Sequence, residues 1–202
     1  MKGLGKDIYN FISRSALAGF LIALAGAIFL LTGNKWVGSA MFSCGLIGVI
    51  LFGAHLYTGK IGYTDSWNSF LRNLIILVIN LVVAFLVGLI FRYVVGTSVA
   101  MDTRLAKTWY RILLDGVGCG ALIYFAVEAY KQTKSLIPVI LGVMAFILAG
   151  FEHCIADAFY FGACELTWKG FGYLLLVVLG NSIGSLLVRF LQIGFKKKDE
   201  KN

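Results

Sequence analysis

The chain has 202 residues, of which 59% are hydrophobic and only 14% are charged, and its mean hydropathy is +0.86. Soluble domains average about 25% charged residues, so this sequence cannot build a water-facing surface and most of it must be surrounded by lipid. In a soluble protein the net charge of +8 would suggest a nucleic-acid partner. Here it includes a juxtamembrane cluster that indicates topology or contact with lipid headgroups, made of Lys196, Lys197, Lys198 and Lys201.

Six stretches of the chain are apolar enough to cross a bilayer core, which requires roughly 20 helical residues. In chain order they are 15–34, 36–59, 73–91, 109–130, 135–151 with a polar-interrupted continuation to 164, and 170–188. The connections between them are short. The sequence therefore predicts an all-α membrane protein, with a single six-span transmembrane domain over residues 1–202.

The basic residues predict the orientation of these spans. An even number of spans puts both termini on one side of the membrane. If that side is the inner one, the inner segments hold twelve Lys and Arg residues and the outer segments hold six. The positive-inside rule then places both termini in the cytoplasm, with the protein in the plasma membrane. Four outer basic residues fall between Arg92 and Arg111, and they form either an ordinary loop or a cationic vestibule that concentrates anions.

The second and fifth spans are interrupted at corresponding places. The second ends in Gly-Ala-His-Leu-Tyr-Thr at 53–58, and the fifth runs into Gly-Phe-Glu-His-Cys-Ile-Ala-Asp at 150–157. Each is the middle span of a three-span half, 1–100 or 101–202, and two such halves insert with opposite orientation. Matched breaks are typical of an inverted repeat with discontinuous helices. Broken backbone at membrane depth must be buried or line a cavity.

His153 is the strongest functional candidate because, with Glu152, it ends the uncharged run 135–151. A histidine changes charge near neutral pH, although a neutral ring that bonds a carbonyl between helices is the ordinary alternative. Asp157 shares a face with His153 if the segment is helical, which raises an intramembrane enzyme or a metal site using Glu152, His153 and Asp157. The sequence offers neither a nucleophile nor a full ligand set, so we expect no enzyme, no metal and no cofactor.

Several other side chains in the apolar spans are candidates for a pore. Thr58 lies at the second-span break and Asn181 in the sixth span, where back-bonding and interhelical hydrogen bonds are the usual roles of such residues. Large apolar side chains that could narrow a pore, although they usually only pack, are Phe42, Leu46, Tyr57 and Phe146.

Taken together, these motifs resemble the signatures of the formate/nitrite transporter family. The segment 150–157 resembles that family's G-F-E-H-S-[IV]-A-N, and 53–58 is similar to its G-A-[DE]-L-F-T. Gly180-Asn181-x-x-Gly184 is similar to its N-x-x-G-G without the second glycine. The resemblance covers nearly the whole chain, with shorter loops. It implies a homopentamer of six-helix protomers with an aquaporin-like fold, in which each protomer has its own pore and the two broken helices meet near the middle.

The resemblance also implies roles for individual residues. His153 would be the central pore histidine, Thr58 the threonine that faces it, and Asn181 an amide bonded nearby. The outer constriction would be formed by Phe42, Leu46 and Phe146, and the inner one by Leu56, Tyr57 and Ile123. Arg104 and Lys107 would lie in the vestibule, with Glu152 as an ion-pair partner. The chain departs from the family pattern at His55 (acidic in the family), Gly120 (Asn), Asp157 (Asn) and Ser185 (Gly).

The function implied by the resemblance is passage of small monovalent anions of weak acids: formate, nitrite or hydrosulfide. A bare anion loses hydration in a hydrophobic constriction, and burial raises its proton affinity. We therefore predict that Arg104 and Lys107 attract the anion, that a proton arrives from water or through His153, and that uptake rises as pH falls. Two alternatives remain, a channel for neutral solutes such as water or glycerol and the intramembrane enzyme.

Overall fold

The computed structural model describes residues 2–95, 101–164 and 167–199, with side chains described for residues 5–193 within those ranges. The C-terminal lysine cluster lies outside the described side chains. Every regular element in the described ranges is helical. In chain order these elements are α1 (Lys2–Thr32), α2 (Lys35–Leu51), α3 (Tyr57–Lys60) with a 3₁₀ turn (Ile61–Tyr63), α4 (Trp67–Val95), α5 (Asp102–Leu105), α6 (Trp109–Thr133), α7 (Ile137–Ala149), α8 (Cys154–Ala163) and α9 (Trp168–Asp199).

Four stretches of the described helices are long and apolar enough to cross a membrane: Gly5–Thr32, Trp67–Val95, Trp109–Thr133 and Trp168–Ile193. Helices α7 and α8 together form a fifth such element, bent by 56° at the break between them. Helix α2 is apolar but has only 17 residues. The apolar runs of the sequence predict the positions of these helices. The first and last helices extend beyond their runs, because backbone hydrogen bonding continues after the apolar side chains end.

Glycines in the left-handed conformation end both interrupted helices. Gly53, with φ of 60°, follows α2, and Gly150, with φ of 75°, follows α7. Glycine adopts this conformation without the steric cost that a side chain would carry. The chain resumes as a helix at Tyr57 and at Cys154 respectively. The two predicted interruptions are therefore real breaks in the helices, and each begins at a glycine of its sequence motif.

Close helix crossings surround these breaks. Helix α4 packs on α8, and α6 packs on α9. A Cβ atom at Gly88 would collide with the carbonyl oxygen of Phe159 on α8, and one at Gly184 would collide with the carbonyl oxygen of Val117 on α6. Small residues at such crossings let the backbones of membrane helices approach. The crossings hold the short helices α3 and α8 against long helices that span the molecule.

The beginning of α1 and the end of α9 lie at the same end of the molecule. The guanidinium of Arg14 in α1 lies beside Gly53. In α9, Nη1 of Arg189 donates to the carbonyl oxygen of Gly62 at 2.9 Å. Both helices therefore contact the short stretch of chain that runs from the first break to the 3₁₀ turn. We call this end of the molecule the α3 face.

Candidate functional site

The two helix breaks meet through one side-chain hydrogen bond. Oγ1 of Thr58, in α3, lies 3.0 Å from Nε2 of His153, in the residue before α8. Both side chains are buried, with 0% and 2% of their surfaces exposed. The structure thus brings together the two residues that the sequence analysis placed opposite each other.

The position of His153 as the N-terminal cap of α8 determines its tautomer. Nδ1 accepts a hydrogen bond from the backbone N–H of Ala156 at 3.3 Å. A nitrogen that accepts cannot carry a proton, so the proton of the neutral ring is on Nε2 and is donated to Oγ1 of Thr58. A charged imidazolium would require a proton on Nδ1, which would then point at the N–H of Ala156. The capping geometry therefore holds His153 as a neutral hydrogen-bond donor.

Two buried asparagines connect the helix breaks to neighbouring helices through hydrogen bonds to backbone groups. In α9, Oδ1 of Asn181 accepts from the N–H of Cys154, and Nδ2 donates to the carbonyls of Gly116 and Glu152, at 2.9 to 3.0 Å.

In α4, Oδ1 of Asn80 accepts from the N–H of Tyr57 at 2.9 Å, and Nδ2 donates to the carbonyls of Ser15 and His55 at 2.7 and 3.0 Å. Each amide therefore joins a break to the first long helix of its own half. The sequence analysis did not select Asn80. The sequence feature that could have identified Asn80 is an amide within the apolar run 73–91, the predicted third span. Asn181 is the corresponding amide of the predicted sixth span.

One cavity, of about 240 Å³, opens beside the imidazole, and we call it the His153 cavity. The ring of Phe146 stacks on that of His153, with centroids 5.9 Å apart, and meets Phe42 edge to face, also at 5.9 Å. Arg104 and Lys107 line the same cavity. Basic side chains, two aromatic rings and the imidazole therefore line one cavity.

The basic residues of this cavity are paired with buried carboxylates. Nη1 of Arg104 lies 2.7 Å from Oδ1 of Asp157 and 3.2 Å from Oε2 of Glu152. Nζ of Lys107 lies 2.6 Å from Oε1 of Glu152 and 2.8 Å from Oδ2 of Asp115.

Arg111, the next basic residue, also pairs with Asp115, at 2.9 Å. The carboxylate side chains are at most 4% exposed, whereas the three basic ones are 24 to 57% exposed. Buried carboxylates therefore neutralise much of the charge of the predicted basic cluster, while its partly exposed basic side chains line the cavity or contact solvent. The sequence analysis proposed Glu152 as the ion-pair partner of the basic residues. It did not predict that Asp115 and Asp157 also form ion pairs with them.

The vestibule cations keep their charge over the whole physiological range. Burial by itself would lower the pKa of Lys107, but hydrogen bonds and charges from Asp115 and Glu152 outweigh it and raise that pKa. The pKa of Arg104 is raised in the same way by Asp157 and Glu152 against the effect of burial. Neither side chain titrates near neutrality, so neither is the source of a pH response there.

A second cavity, of about 510 Å³, lies on the other side of the break residues, and we call it the Leu56 cavity. Its lining includes Leu46, Leu56, Lys60 and Lys131, and it shares no lining residue with the His153 cavity. The resemblance assigned Leu46 to the outer constriction together with Phe42. The structure places Leu46 at this second cavity, because four residues of α2 advance it one helical turn, about 6 Å, beyond Phe42.

Two residues assigned by resemblance to the inner constriction line neither cavity. Tyr57 is buried, and its hydroxyl lies 2.8 Å from Oγ of Ser182, so its ring is turned toward α9. Ile123 is 1% exposed and belongs to the apolar core. Of the three proposed inner residues, Leu56 alone lines the Leu56 cavity.

The three residues of the proposed intramembrane enzyme line one cavity, and each is engaged by other partners. Glu152 and Asp157 bind Arg104, while His153 binds Thr58 and Ala156. Within the described ranges, no group of three His, Cys, Asp or Glu side chains has an arrangement suited to a metal ion.

Comparisons with known proteins identify relatives of this chain, first by sequence. A family model described as formate/nitrite transporter matches residues 1–193. The uncharacterized transporter YrhG of Bacillus subtilis is 29% identical over 199 residues, which cover 82% of this chain and 74% of that protein. The formate channel BtFdhC of Bacillus thuringiensis is 27% identical over 175 residues, covering 73% of this chain and 68% of that one.

Solved structures show the same fold at lower sequence identity. An FNT family ion channel superposes with a TM-score of 0.84 and 21% identity, covering 95% of this chain and 92% of that one. A pentameric formate channel with formate bound gives a TM-score of 0.78 at 20% identity, with coverages of 94% and 96%.

Proposed function

Because the chain belongs to the formate/nitrite transporter family, we propose that it passes formate, or another small monovalent anion of a weak acid such as nitrite or hydrosulfide, across the plasma membrane. It is a multi-pass membrane protein that transports anions rather than an enzyme, in keeping with its family and with a relative that is a formate channel. One observation carries the proposal: the neutral donor pair of Thr58 and His153 lies buried beside a cavity that basic residues line.

The proposed architecture has six spans in two inverted halves, 1–100 and 101–202. The second span consists of α2, the break and α3, and the fifth consists of α7, the break and α8. The matched hydrogen bonds of Asn80 and Asn181 support this repeat, because each joins the third helix of a half to its first helix and to its break. The α3 face is cytoplasmic, and the His153 cavity opens to the outside.

We also propose a homopentamer, which is the assembly named for one of the solved structures that share the fold. Exposed apolar side chains along α1, α4 and α9 support it, because such surfaces face either lipid or a neighbouring protomer. A mass measurement on the detergent-solubilised protein tests this assembly.

The proposed passage has three steps. Arg104 and Lys107 draw the anion into the His153 cavity, where their positive side is exposed. Phe42 and Phe146 then exclude water, and dehydration raises the anion's proton affinity. The proton comes from vestibule water, because His153 has its only proton on Nε2 and its capping bond opposes a second one. The hydrogen bond that Nε2 of His153 makes to Thr58 is then exchanged for one to the passing species, which moves on past Leu46 and Leu56.

Flux into proteoliposomes tests the function directly. We expect formate uptake to rise as pH falls from about 7.5 to 5.5. At a pH above the pKa of a weak acid, its protonated fraction grows about tenfold each time the pH falls by one unit. We expect glycerol, tested by swelling, to cross more slowly. Glycerol permeation with no formate flux would show a neutral-solute channel and would reject the proposal.

Substitution of the histidine tests the site. In His153→Ala the donor at the narrow point is lost, and formate flux should fall by roughly fivefold, the worth of one hydrogen bond of about 1 kcal/mol to the protonated acid. Because His153 is not the proton source, the remaining flux should keep its pH dependence. Lys134→Gln, an exposed change on the α3 face, serves as the control. Undiminished flux in His153→Ala would remove the histidine from the mechanism.

A further inference from the structure

A basic cleft adjoins the Leu56 cavity on the α3 face, between the first break, α3 and the beginning of α4. Its volume is about 430 Å³. Its lining includes His55, Lys60, Asp65, Ser69, Arg72 and Asn73.

The cations of this cleft lack the partners that the cations of the vestibule have. Lys60 and Arg72 form no salt bridge with any carboxylate in the described ranges, whereas Arg104, Lys107 and Arg111 each form at least one. Arg14 adds a further positive charge nearby, beside Gly53. Positive charges held together without carboxylates attract an anion to the site.

The aromatic ring of Phe11 fixes the geometry of one wall. The guanidinium of Arg72 and the imidazole of His55 each lie 5.5 Å from the centre of that ring. Nδ1 of His55 is buried and has no hydrogen-bond partner in the described part of the chain. A buried polar atom without a partner is uncommon. This wall of the cleft therefore carries a polar atom that the described side chains do not satisfy.

The one acidic residue of the cleft offsets only part of this charge. Asp65 is fully exposed, and hydrogen bonds with the hydroxyls of Ser69 and Ser66 lower its pKa, so it is an anion. Lys60, Arg72 and Arg14 exceed it in number. The first turn of the 29-residue helix α4 also lines the cleft, and the N-terminal end of a long helix favours a negative ligand.

Exposed aromatic and apolar side chains beside the cleft indicate its depth in the membrane. Trp67, at the start of α4, is 70% exposed and stacks on Phe70 with ring centroids 5.3 Å apart. Leu71 and Ile75, on the next turns, are exposed apolar side chains. Tryptophan marks the boundary between lipid and water in membrane proteins. The cleft is therefore at the level of the lipid headgroups, where phosphate is the abundant anion.

We propose that the cleft formed by Lys60, Arg72 and His55 binds a phosphate group, supplied by the headgroup of an anionic phospholipid. Arg72 and Lys60 bind its oxygens by charge, and His55 lines the cleft beside Phe11 as an uncharged wall. Because Lys60 also lines the Leu56 cavity, occupancy of the cleft changes the charge that an anion meets there.

Lipid retention by the purified protein tests the site without reference to transport. Native mass spectrometry would count phosphatidylglycerol and phosphatidylcholine retained by the wild type and by Lys60→Gln/Arg72→Gln. We expect retention of phosphatidylglycerol to weaken about 30-fold in the double variant, roughly fivefold for each basic side chain near an anionic lipid. The matched control, Lys6→Gln/Lys134→Gln, removes the same charge from exposed positions on the same face and should retain the lipid as the wild type does.

Thermal unfolding separates the two possible sources of phosphate. If lipid is the source, phosphatidylglycerol added to phosphatidylcholine nanodiscs raises the Tm of the wild type and not that of the double variant. If inorganic phosphate in detergent does so instead, the phosphate site stands and its ligand is soluble. The proposal would be overturned if the wild type and the double variant retained phosphatidylglycerol equally and showed the same rise in Tm. It would also be overturned if the control Lys6→Gln/Lys134→Gln lost as much phosphatidylglycerol as the double variant. If the double variant does not fold, Lys60→Gln and Arg72→Gln are compared singly.

Discussion

At the residue scale, the site depends on buried polar side chains that satisfy backbone groups freed by the helix breaks. Asn181 and Asn80 each make three hydrogen bonds to the backbone. The sequence selected Asn181 through its motif and missed Asn80, because an isolated amide in an apolar run carries no signature of the loop it fastens. Its role becomes visible only when the folded chain brings the first break against α4.

The two asparagines should be equally important for stability. Replacing either Asn80 or Asn181 by Leu removes the partner of two backbone groups at a break, whereas the third, a carbonyl inside a long helix, keeps its helical hydrogen bond; the cost is about 1–3 kcal/mol for each group that stays unsatisfied. Thermal unfolding in detergent would measure the loss. Asn73→Leu is the control, because the side chain of Asn73 donates only to the hydroxyl of Thr64, at 2.9 Å. An Asn80→Leu protein as stable as the control would show that α4 does not fasten the first break.

Asp157 limits the positive charge of the His153 cavity. It accepts from Nη1 of Arg104 at 2.7 Å, and the family pattern has Asn at this position. Asp157→Asn keeps an acceptor for Arg104 and removes one negative charge. The anion concentration that gives half-maximal uptake should therefore fall by about threefold at low ionic strength, and the gain should shrink as salt screens the field.

The control for this prediction is Asp102→Asn, which removes an exposed charge from the neighbouring helix α5. We expect it to change uptake much less. If uptake by Asp157→Asn shows the same dependence on ionic strength as the wild type, the carboxylate does not influence the cavity through its charge.

At the element scale, the long helices followed from the sequence, whereas the inside of the broken segments did not. The runs without charge at 15–34 and 73–91 predict α1 and α4, and Gly53 and Gly150 mark the breaks. His153 caps α8 and lines the same cavity as Asp157, four residues further on. The ion pair of Asp157 with Arg104 joins separate segments of the chain, which a local pattern cannot encode.

Helix α9 offers a matched test of close packing against α6. A Cβ at Gly184 would collide with the carbonyl oxygen of Val117, whereas nothing lies within 4 Å of a Cβ placed at Gly172 in the same helix. Gly184→Val should destabilise the protein by about 1–3 kcal/mol or prevent its assembly. Gly172→Val should cost far less, and the two are compared by Tm and by yield of folded protein. Similar losses in both would attribute the effect to the β-branched residue in the helix rather than to the crossing.

At the scale of the whole molecule, the distribution of basic residues predicts an orientation in the membrane that the fold alone does not give. The family resemblance found in three short motifs is confirmed by a model that matches residues 1–193. Motifs reveal a family because the broken helices demand particular residues. They do not reveal which way the molecule faces. The structure places the beginning of α1 and the end of α9 at one face, with Arg14, Lys60 and Arg189, and the positive-inside rule predicts that this face is cytoplasmic.

Fusion reporters test this orientation. A fluorescent protein that matures only in the cytoplasm should report when fused after residue 193 or inserted at 64–66, since both positions lie on the α3 face. Alkaline phosphatase, which is active only outside, should report from the turn at 33–34, one crossing away. The opposite result would turn the His153 cavity toward the cytoplasm. The basic vestibule would then collect anions for export, and the acid-stimulated step would draw its proton from the cell interior.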